Sequence, residues 1–145
     1  MFKRINNYYQ DDSIRMILNT LSLFFTVLYS IDACQFYNLH KLEFENVKSD
    51  QLSVNSALKI LGSDGFTFLL ITGIVLLVFL GINIIFSFIP TLNDIFCDYK
   101  RRKSLLILLI VILEFIVIWC MAHWVGLLIL IFAIGLVYHK FFETQ

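Results

Sequence analysis

One acidic residue lies in the middle of a long apolar run. Residues 105–119 read LLILLIVILEFIVIW, in which every side chain is apolar except that of Glu114, a carboxylic acid. An acid at the centre of a bilayer costs ~2.5–3.5 kcal/mol on insertion scales, so such residues face protein or water rather than lipid. Because burial disfavours the charged form of a carboxylate, we expect Glu114 to be protonated unless a cation pairs with it.

The polar side chains that could meet Glu114 inside a membrane are few and neutral. Asn19, Ser22 and Thr26 follow one another by three and four residues, which places them on one face of a helix. Asn83 lies within the second long apolar run, and no Lys or Arg is expected at the depth of Glu114. We therefore predict that these five residues form the polar, or docking, positions inside the membrane.

Two interpretations of Glu114 follow from this pattern. In the structural one, the protonated acid hydrogen bonds to the first or second helix and fixes how the helices pack. In the functional one, Glu114 meets something that this chain lacks. That is either a cation on a partner's membrane span or a proton or ion that moves along a path. The sequence supports both interpretations.

Residue patterns typical of enzymes and metal sites are missing from the sequence. His40 and Glu43 have HxxE spacing without a third ligand nearby, and no CxxC, GxSxG or phosphate-loop pattern occurs. No paired carboxylates share a face at membrane depth, so general acid–base and nucleophilic catalysis have no candidate groups. We therefore expect no enzyme activity, no bound metal and no cofactor.

Two of the three cysteines fall near the predicted outer surface. Cys34 follows the first apolar run, and Cys120 lies at the end of the third. A disulfide between them would form only if the outer compartment is oxidising. The alternative interpretation is that both are small, buried apolar side chains.

Composition and patterning identify the elements that must position these residues. The chain is 59% hydrophobic and 15% charged, whereas soluble domains have about 45–50% apolar and about 25% charged residues. The apolar residues form long blocks, as membrane spans do. The sequence therefore predicts an all-α polytopic membrane protein, a four-helix bundle of transmembrane helices in a single domain. Its predicted ranges are 1–145 for the domain, 14–34, 66–89, 104–121 and 124–142 for the spans, and 35–65 for an outer loop.

The predicted boundaries of the later helices depend on the length of the last apolar region and on Pro90. An unbroken helix over residues 104–138 would be ~52 Å long, well beyond the ~30 Å hydrocarbon core. We therefore predict a turn at residues 121–126, MAHWVG. Pro90 is predicted to end the second helix, because proline has no N–H for the helix ladder.

Short helices at the membrane surface are predicted between and before the spans. Apolar residues at helical spacing predict one helix over 2–9 and another over 91–99. A third is predicted in SVNSALKILG, residues 53–62, where Ser53 or Asn55 can cap the start and Gly62 can end the helix.

Positive charge predicts the orientation of the four spans. Four crossings place both termini on one side, and eight of the 11 Lys and Arg residues fall there. By the positive-inside rule that side is the cytoplasm, or the matrix of an organelle. The membrane would be a bacterial cytoplasmic membrane or an organelle inner membrane. A basic cluster at the inner surface is interpreted as a topology determinant, or alternatively as a site for anionic lipid headgroups: Lys100, Arg101, Arg102 and Lys103.

These observations favour a small non-enzymatic integral membrane protein. We expect an accessory, regulatory or immunity-type subunit that docks onto another membrane protein or complex, with membrane lipids as its other partners. The alternative is a small channel or transporter for ions or protons, a homo-oligomer that uses Glu114. One short basic cluster beside a membrane is no surface for tracking phosphates, so nucleic-acid binding is not expected.

Overall fold

The computed structural model describes residues 1–49, 53–96 and 101–142, the last range without the side chain of Arg101. In these ranges the regular structure is entirely helical, as the sequence predicts. The six helices are α1 Phe2–Tyr9, α2 Asp12–Leu39, α3 Lys41–Lys48, α4 Val54–Leu61, α5 Phe66–Phe96 and α6 Arg101–Phe142.

Three of the helices, α2, α5 and α6, are long and apolar enough to cross a membrane. A membrane location therefore fits the fold. The predicted four-helix bundle is not confirmed, because three candidate spans are found among the described residues rather than four. The difference lies in the C-terminal third of the chain.

The predicted turn at residues 121–126 is wrong, because α6 runs through this segment as one helix of 42 residues. MAHWVG contains no proline, and a glycine inside a helix costs only about 1 kcal/mol. Met121 and Val125 are one turn apart, and both are buried. Packing therefore supports the helix where composition alone favoured a turn. At 1.5 Å per residue α6 is about 63 Å long, roughly twice the thickness of the hydrocarbon core.

The prediction that the second helix ends at Pro90 is also wrong. Pro90 lies inside α5, which continues to Phe96. A proline removes one backbone N–H, and membrane helices tolerate that loss because neighbouring groups satisfy the freed carbonyl. Residues 91–96, predicted as part of a separate surface helix, are the last turns of α5, and 97–99 lie outside the described residues.

The short helices were only partly predictable. The helices predicted over 2–9 and within 53–62 are confirmed as α1 and α4. Ser53 caps α4, because its hydroxyl accepts a hydrogen bond from the Ser56 N–H at 3.3 Å. The helix α3 was not predicted, since its sequence KLEFENVK is polar enough to be interpreted as loop.

The chain divides into two compact units, and each long helix contributes to both. Unit 1 comprises Met1–Val27 and Val75–Met121, and unit 2 comprises Leu28–Ile74 and Ala122–Gln145.

Unit 2 has an apolar and aromatic interior. Phe44 of α3 is fully buried, and its ring centroid lies 5.4 Å from that of Trp124 and 5.2 Å from that of Tyr37. The Tyr29 hydroxyl donates to the Leu69 carbonyl at 2.9 Å and accepts from Trp124 Nε1 at 3.2 Å. These aromatic contacts join helix segments that are distant in sequence.

Candidate intramembrane polar site

The interior of unit 1 is polar. Nine of the ten buried polar or charged residues in the described part of the chain belong to this unit. Burying so many polar groups is costly unless they are paired, so this cluster is a candidate functional site. They are Arg15, Asn19, Ser22, Thr26, Asn83, Ser87, Thr91, Ser104 and Glu114.

Helical spacing places these residues on facing surfaces. On α2 the polar positions follow by three and four residues, as side chains on one helix face do: Asp12, Arg15, Asn19, Ser22 and Thr26. On α5 the same rule relates Asn83, Ser87, Thr91 and Asp94. On α6 Ser104 and Glu114 are the buried polar residues, and the buried Ile107 and Val111 lie between them.

Glu114 is fully buried and meets α2. Its Oε1 is hydrogen bonded to the hydroxyl of Ser22. The Ser22 hydroxyl also lies 2.8 Å from the carbonyl oxygen of Asn19. A hydroxyl has one proton to donate, so it cannot fully serve both acceptors. Both contacts are satisfied when Glu114 is protonated, donates to Ser22 and leaves the Ser22 proton for Asn19.

Arg15 places a positive charge in the polar core. Its side chain is fully buried, and its Nη2 forms ion pairs with Asp12 on the same helix and Asp94 on α5. A buried charge is tolerated only when it is paired and hydrogen bonded. The two carboxylates supply that pairing and connect α2 to the end of α5.

Asn19 connects α2 to the middle of α5. Its Nδ2 donates to the Arg15 carbonyl at 2.6 Å and to Ser87 Oγ at 2.9 Å. The polar contacts therefore form a continuous series along α2. They run from the backbone carbonyl of Arg15 to the side chain of Asn19, and from the backbone carbonyl of Asn19 through the Ser22 hydroxyl to Glu114.

Tyr9 brings the short helix α1 into the same core. Its buried hydroxyl donates to Asn83 Oδ1, and Asn83 Nδ2 lies 3.4 Å from the Leu18 carbonyl. Burial raises the pKa of the Tyr9 phenol. Tyr9 therefore remains a hydrogen-bond donor at neutral pH.

Several buried polar atoms of unit 1 lack a hydrogen-bond partner in the described part of the chain. Each such atom costs about 1–3 kcal/mol unless water or a ligand supplies the bond. The core therefore has more hydrogen-bonding capacity than its own residues use. The atoms are Arg15 Nε and Nη1, Asn19 Oδ1, Thr91 Oγ1, Ser104 Oγ and Glu114 Oε2.

An apolar groove of about 440 Å³ forms a second feature of unit 1, between α5 and α6. On α5, Gly81 is one turn before Ile85 and shares its helix face. A Cβ built on Gly81 would meet no atom within 4 Å. We call this feature the α5–α6 groove, and it is lined by Ile84, Ile85, Phe88, Ile89, Val111, Ile112, Phe115 and Ile116.

The structure brings together some of the sequence-predicted polar residues. Glu114, Ser22 and Asn19 form one hydrogen-bonded series. Thr26 bonds within its own helix, to the Ser22 carbonyl at 2.8 Å. Asn83 does not bond to Glu114 among the described contacts, and pairs instead with Tyr9.

Sequence reasoning missed Arg15 as a core residue, because it was counted only as an inner-side charge. The spacing of Arg15, Asn19 and Ser22 continues one helix face, so the signal was present. Tyr9, Ser87 and Asp94 carried no comparable signal, since their roles depend on how α1 and α5 pack on α2.

The remaining candidate residues are not among the buried polar residues of unit 1. Arg102 and Lys103 of the basic cluster are exposed, whereas Lys100 and the Arg101 side chain lie outside the described residues. Cys34 and Cys120 are exposed, so their interpretation as buried side chains is wrong. The disulfide between them stays a prediction. Among the described residues, no group of three or more His, Cys, Asp or Glu could hold a metal ion.

Comparison of the chain with known protein families, with curated proteins and with solved structures finds no match.

Proposed function

We propose that this chain is a small non-enzymatic accessory or immunity-type membrane protein that docks onto a transmembrane helix of a different membrane protein. The observation that supports this proposal is the α5–α6 groove next to the open backbone of Gly81. The occupant would be an apolar helix of the partner, lying along the groove within the bilayer.

Shape is the reason to expect a helix in the groove. Lipid tails are as apolar as leucine, so helices in membranes associate through close packing rather than through the hydrophobic effect. A concave surface offers more contacts to a fitted partner than a flat one. A glycine beside it lets another backbone approach closely, as small residues do in membrane interfaces.

A second copy of this chain is a poorer occupant than a different protein. A symmetric dimer places the same surface of both copies together. Two concave grooves facing each other would leave the space between them unfilled. A convex partner helix fits the groove without that loss.

Glu114 is an internal residue in this proposal. Its Oε1 is bonded to Ser22 and its side chain is fully buried, so a partner's cation would have to enter the core of unit 1 to reach it. Docking through the outward-facing groove requires no such rearrangement.

The orientation proposed here follows the positive charges. Residues before α2 and the segment between α5 and α6 would lie in the cytoplasm or matrix. The unbroken α6 supports a single crossing, which would place its C-terminal end with residues 40–65 on the opposite side. Counting the first turns of α2 and α6 with these segments, seven of the 11 Lys and Arg residues are on the inner side in this arrangement.

Enlarging Gly81 tests the proposal. In Gly81→Leu the new side chain starts from a Cβ that meets no atom within 4 Å, so we expect folding to be preserved and the approach of a partner helix to be blocked. Gly126→Leu is a matched control, because a Cβ on Gly126 also meets no atom within 4 Å. The measurement is quantitative mass spectrometry of proteins retained with each variant from native membranes in mild detergent.

We expect a membrane protein retained by wild type and by Gly126→Leu to be lost from Gly81→Leu. Equal retention by both variants would contradict docking at the groove. Unchanged thermal unfolding of both variants would establish that the loss is not a failure to fold.

A second candidate function is proton or ion transfer through Glu114. It is favoured by the buried Oε2 of Glu114, which has no partner among the described residues, at one end of the polar series from Arg15. In vesicles with a pH-sensitive dye inside, this function predicts proton flux with wild type and none with Glu114→Gln. No flux with wild type would exclude the proton path.

A further inference from the structure

A pocket of about 480 Å³ opens in unit 1 where α1, the start of α2 and the end of α5 meet. Its lining is divided between polar and apolar side chains, unlike the wholly apolar α5–α6 groove. The polar residues are Asn6, Gln10, Arg15, Asn93 and Asp94, and the apolar ones are Ile85, Phe86, Ile89 and Pro90.

Among the residues that line this pocket, Arg15 has N–H groups that lack a hydrogen-bond acceptor in the described part of the chain. Its side chain is fully buried and lines the pocket. Nη2 is paired with Asp12 and Asp94, but Nε and Nη1 have no partner within the described ranges. A buried guanidinium group with free N–H groups is satisfied by an oxygen-rich ligand, and phosphate oxygens match its planar geometry.

The charges around the pocket narrow the class of ligand. Arg15 carries one positive charge, while Asp12 and Asp94 each carry one negative charge. Together these three side chains have a net negative charge. A phosphate alone would add to that excess. A ligand that carries both a phosphate and an ammonium group complements both signs, with the ammonium beside Asp94, whose side chain is 36% exposed.

The apolar wall identifies the rest of the ligand. Ile85 and Ile89 line both this pocket and the α5–α6 groove. A ligand with its headgroup at Arg15 would therefore have a continuous apolar surface for a hydrocarbon chain. A soluble phosphate compound would leave that surface unused.

We propose that this pocket binds a phospholipid with a zwitterionic, amine-bearing headgroup, with its phosphate at Arg15, its ammonium at Asp94 and its acyl chain along Ile85 and Ile89. The site does not rest on the docking function. The acyl chain would cover the α5 wall of the groove, and a partner helix would then pack against that chain and the α6 wall.

Native mass spectrometry of the purified protein in mild detergent tests this site. Phosphatidylethanolamine, phosphatidylglycerol and inorganic phosphate are added in separate titrations. We expect wild type to retain one phosphatidylethanolamine about tenfold more tightly than phosphatidylglycerol. The double variant Asn6→Leu/Asn93→Leu should lose about tenfold in affinity, because two exposed hydrogen-bonding groups at the pocket are removed.

Two further variants separate a specific site from general lipid contact. Asn7→Leu is the matched control, because Asn7 is an exposed residue of α1 that does not line the pocket. It should bind lipid as wild type does. Asp94→Asn should shift the preference towards phosphatidylglycerol, which is a change that unfolding does not produce.

The site is overturned if wild type and the double variant retain phosphatidylethanolamine equally, since that describes a nonspecific lipid coat. Equal retention of the two phospholipids by wild type, or no change of preference in Asp94→Asn, overturns the headgroup assignment. Binding of inorganic phosphate without either lipid overturns the lipid as the ligand.

Discussion

The contact between Glu114 and Ser22 shows how a buried acid can be accommodated without a cation. The carboxyl group and the hydroxyl lie on different helices of the same unit. With Glu114 protonated, one chain of hydrogen bonds runs from the acid to Ser22 and on to the Asn19 carbonyl. The cost of an acid at membrane depth is thereby reduced, and the contact joins α6 to α2.

The first prediction compares two substitutions of Glu114. Glu114→Gln should leave the free energy of unfolding nearly unchanged, because an amide can donate to Ser22 as a protonated acid does. Glu114→Leu should lower it by about 1–2 kcal/mol, the scale of hydrogen bonds between membrane helices. Denaturant titration of the purified protein in detergent micelles measures both.

Ser22→Ala provides the control for this comparison. If the bond to Ser22 is what Glu114→Leu removes, the double substitution should cost less than the two single ones added together. A large loss of stability in Glu114→Gln would contradict a protonated, structural Glu114.

Sequence reasoning identified the polar core only in part. The cost of an acid in lipid and the spacing of Asn19, Ser22 and Thr26 were enough to predict that Glu114 faces protein. They left the first helix, the second helix and a partner chain as possible neighbours, and the structure pairs it with Ser22 of α2. Arg15 escaped because a cation near the start of a span is ordinarily interpreted as an inner-side charge. Its burial depends on Asp94, which is distant in sequence.

At the scale of elements, α6 carries the main difference between sequence and structure. The length of its apolar region argued for two spans, and MAHWVG held the glycine and aromatic residues that suit an interfacial turn. None of these residues forbids a helix, and Met121 and Val125 are buried in it. Pro90 is a second case in which a residue type that often ends a helix does not end one. It is accommodated inside α5, as prolines are in membrane helices.

The second prediction distinguishes one crossing by α6 from two. In a variant with Cys34, Cys97 and Cys120 replaced by alanine, single cysteines are placed at Ser49 and Phe141. If α6 crosses once, a membrane-impermeant thiol reagent added outside should label both positions, because both would lie on the outer side. Both native residues are exposed, so neither substitution removes a packed side chain.

Asn7→Cys in the same background is the inner-side control and should react only after the membrane is permeabilised. If the Phe141 position behaves like Asn7 while Ser49 reacts from outside, α6 contains two crossings. The unbroken α6 would then not be the form present in the membrane.

At the scale of the whole molecule, the two units differ in the polarity of their interiors. Unit 2 has an apolar and aromatic interior, whereas unit 1 concentrates nearly all buried polar groups of the described residues. Unit 1 also contains the α5–α6 groove and the pocket at Arg15. The proposals for partner and lipid binding therefore concern one unit, and the fold class alone would not have located them.

The most direct test of docking is photo-crosslinking in native membranes. A photoreactive amino acid is placed at Phe115 in the groove, or at Leu109 as the control. Both belong to α6 in unit 1, and they are similarly exposed, at 65% and 60%. Leu109 does not line the groove.

Docking in the groove predicts that Phe115 yields an adduct with a different integral membrane protein. Leu109 should yield none, and the Phe115 adduct should disappear when Gly81→Leu is added. An adduct only with a second copy of this chain, equal adducts from both positions, or a Phe115 adduct that persists with Gly81→Leu would contradict the proposed docking site.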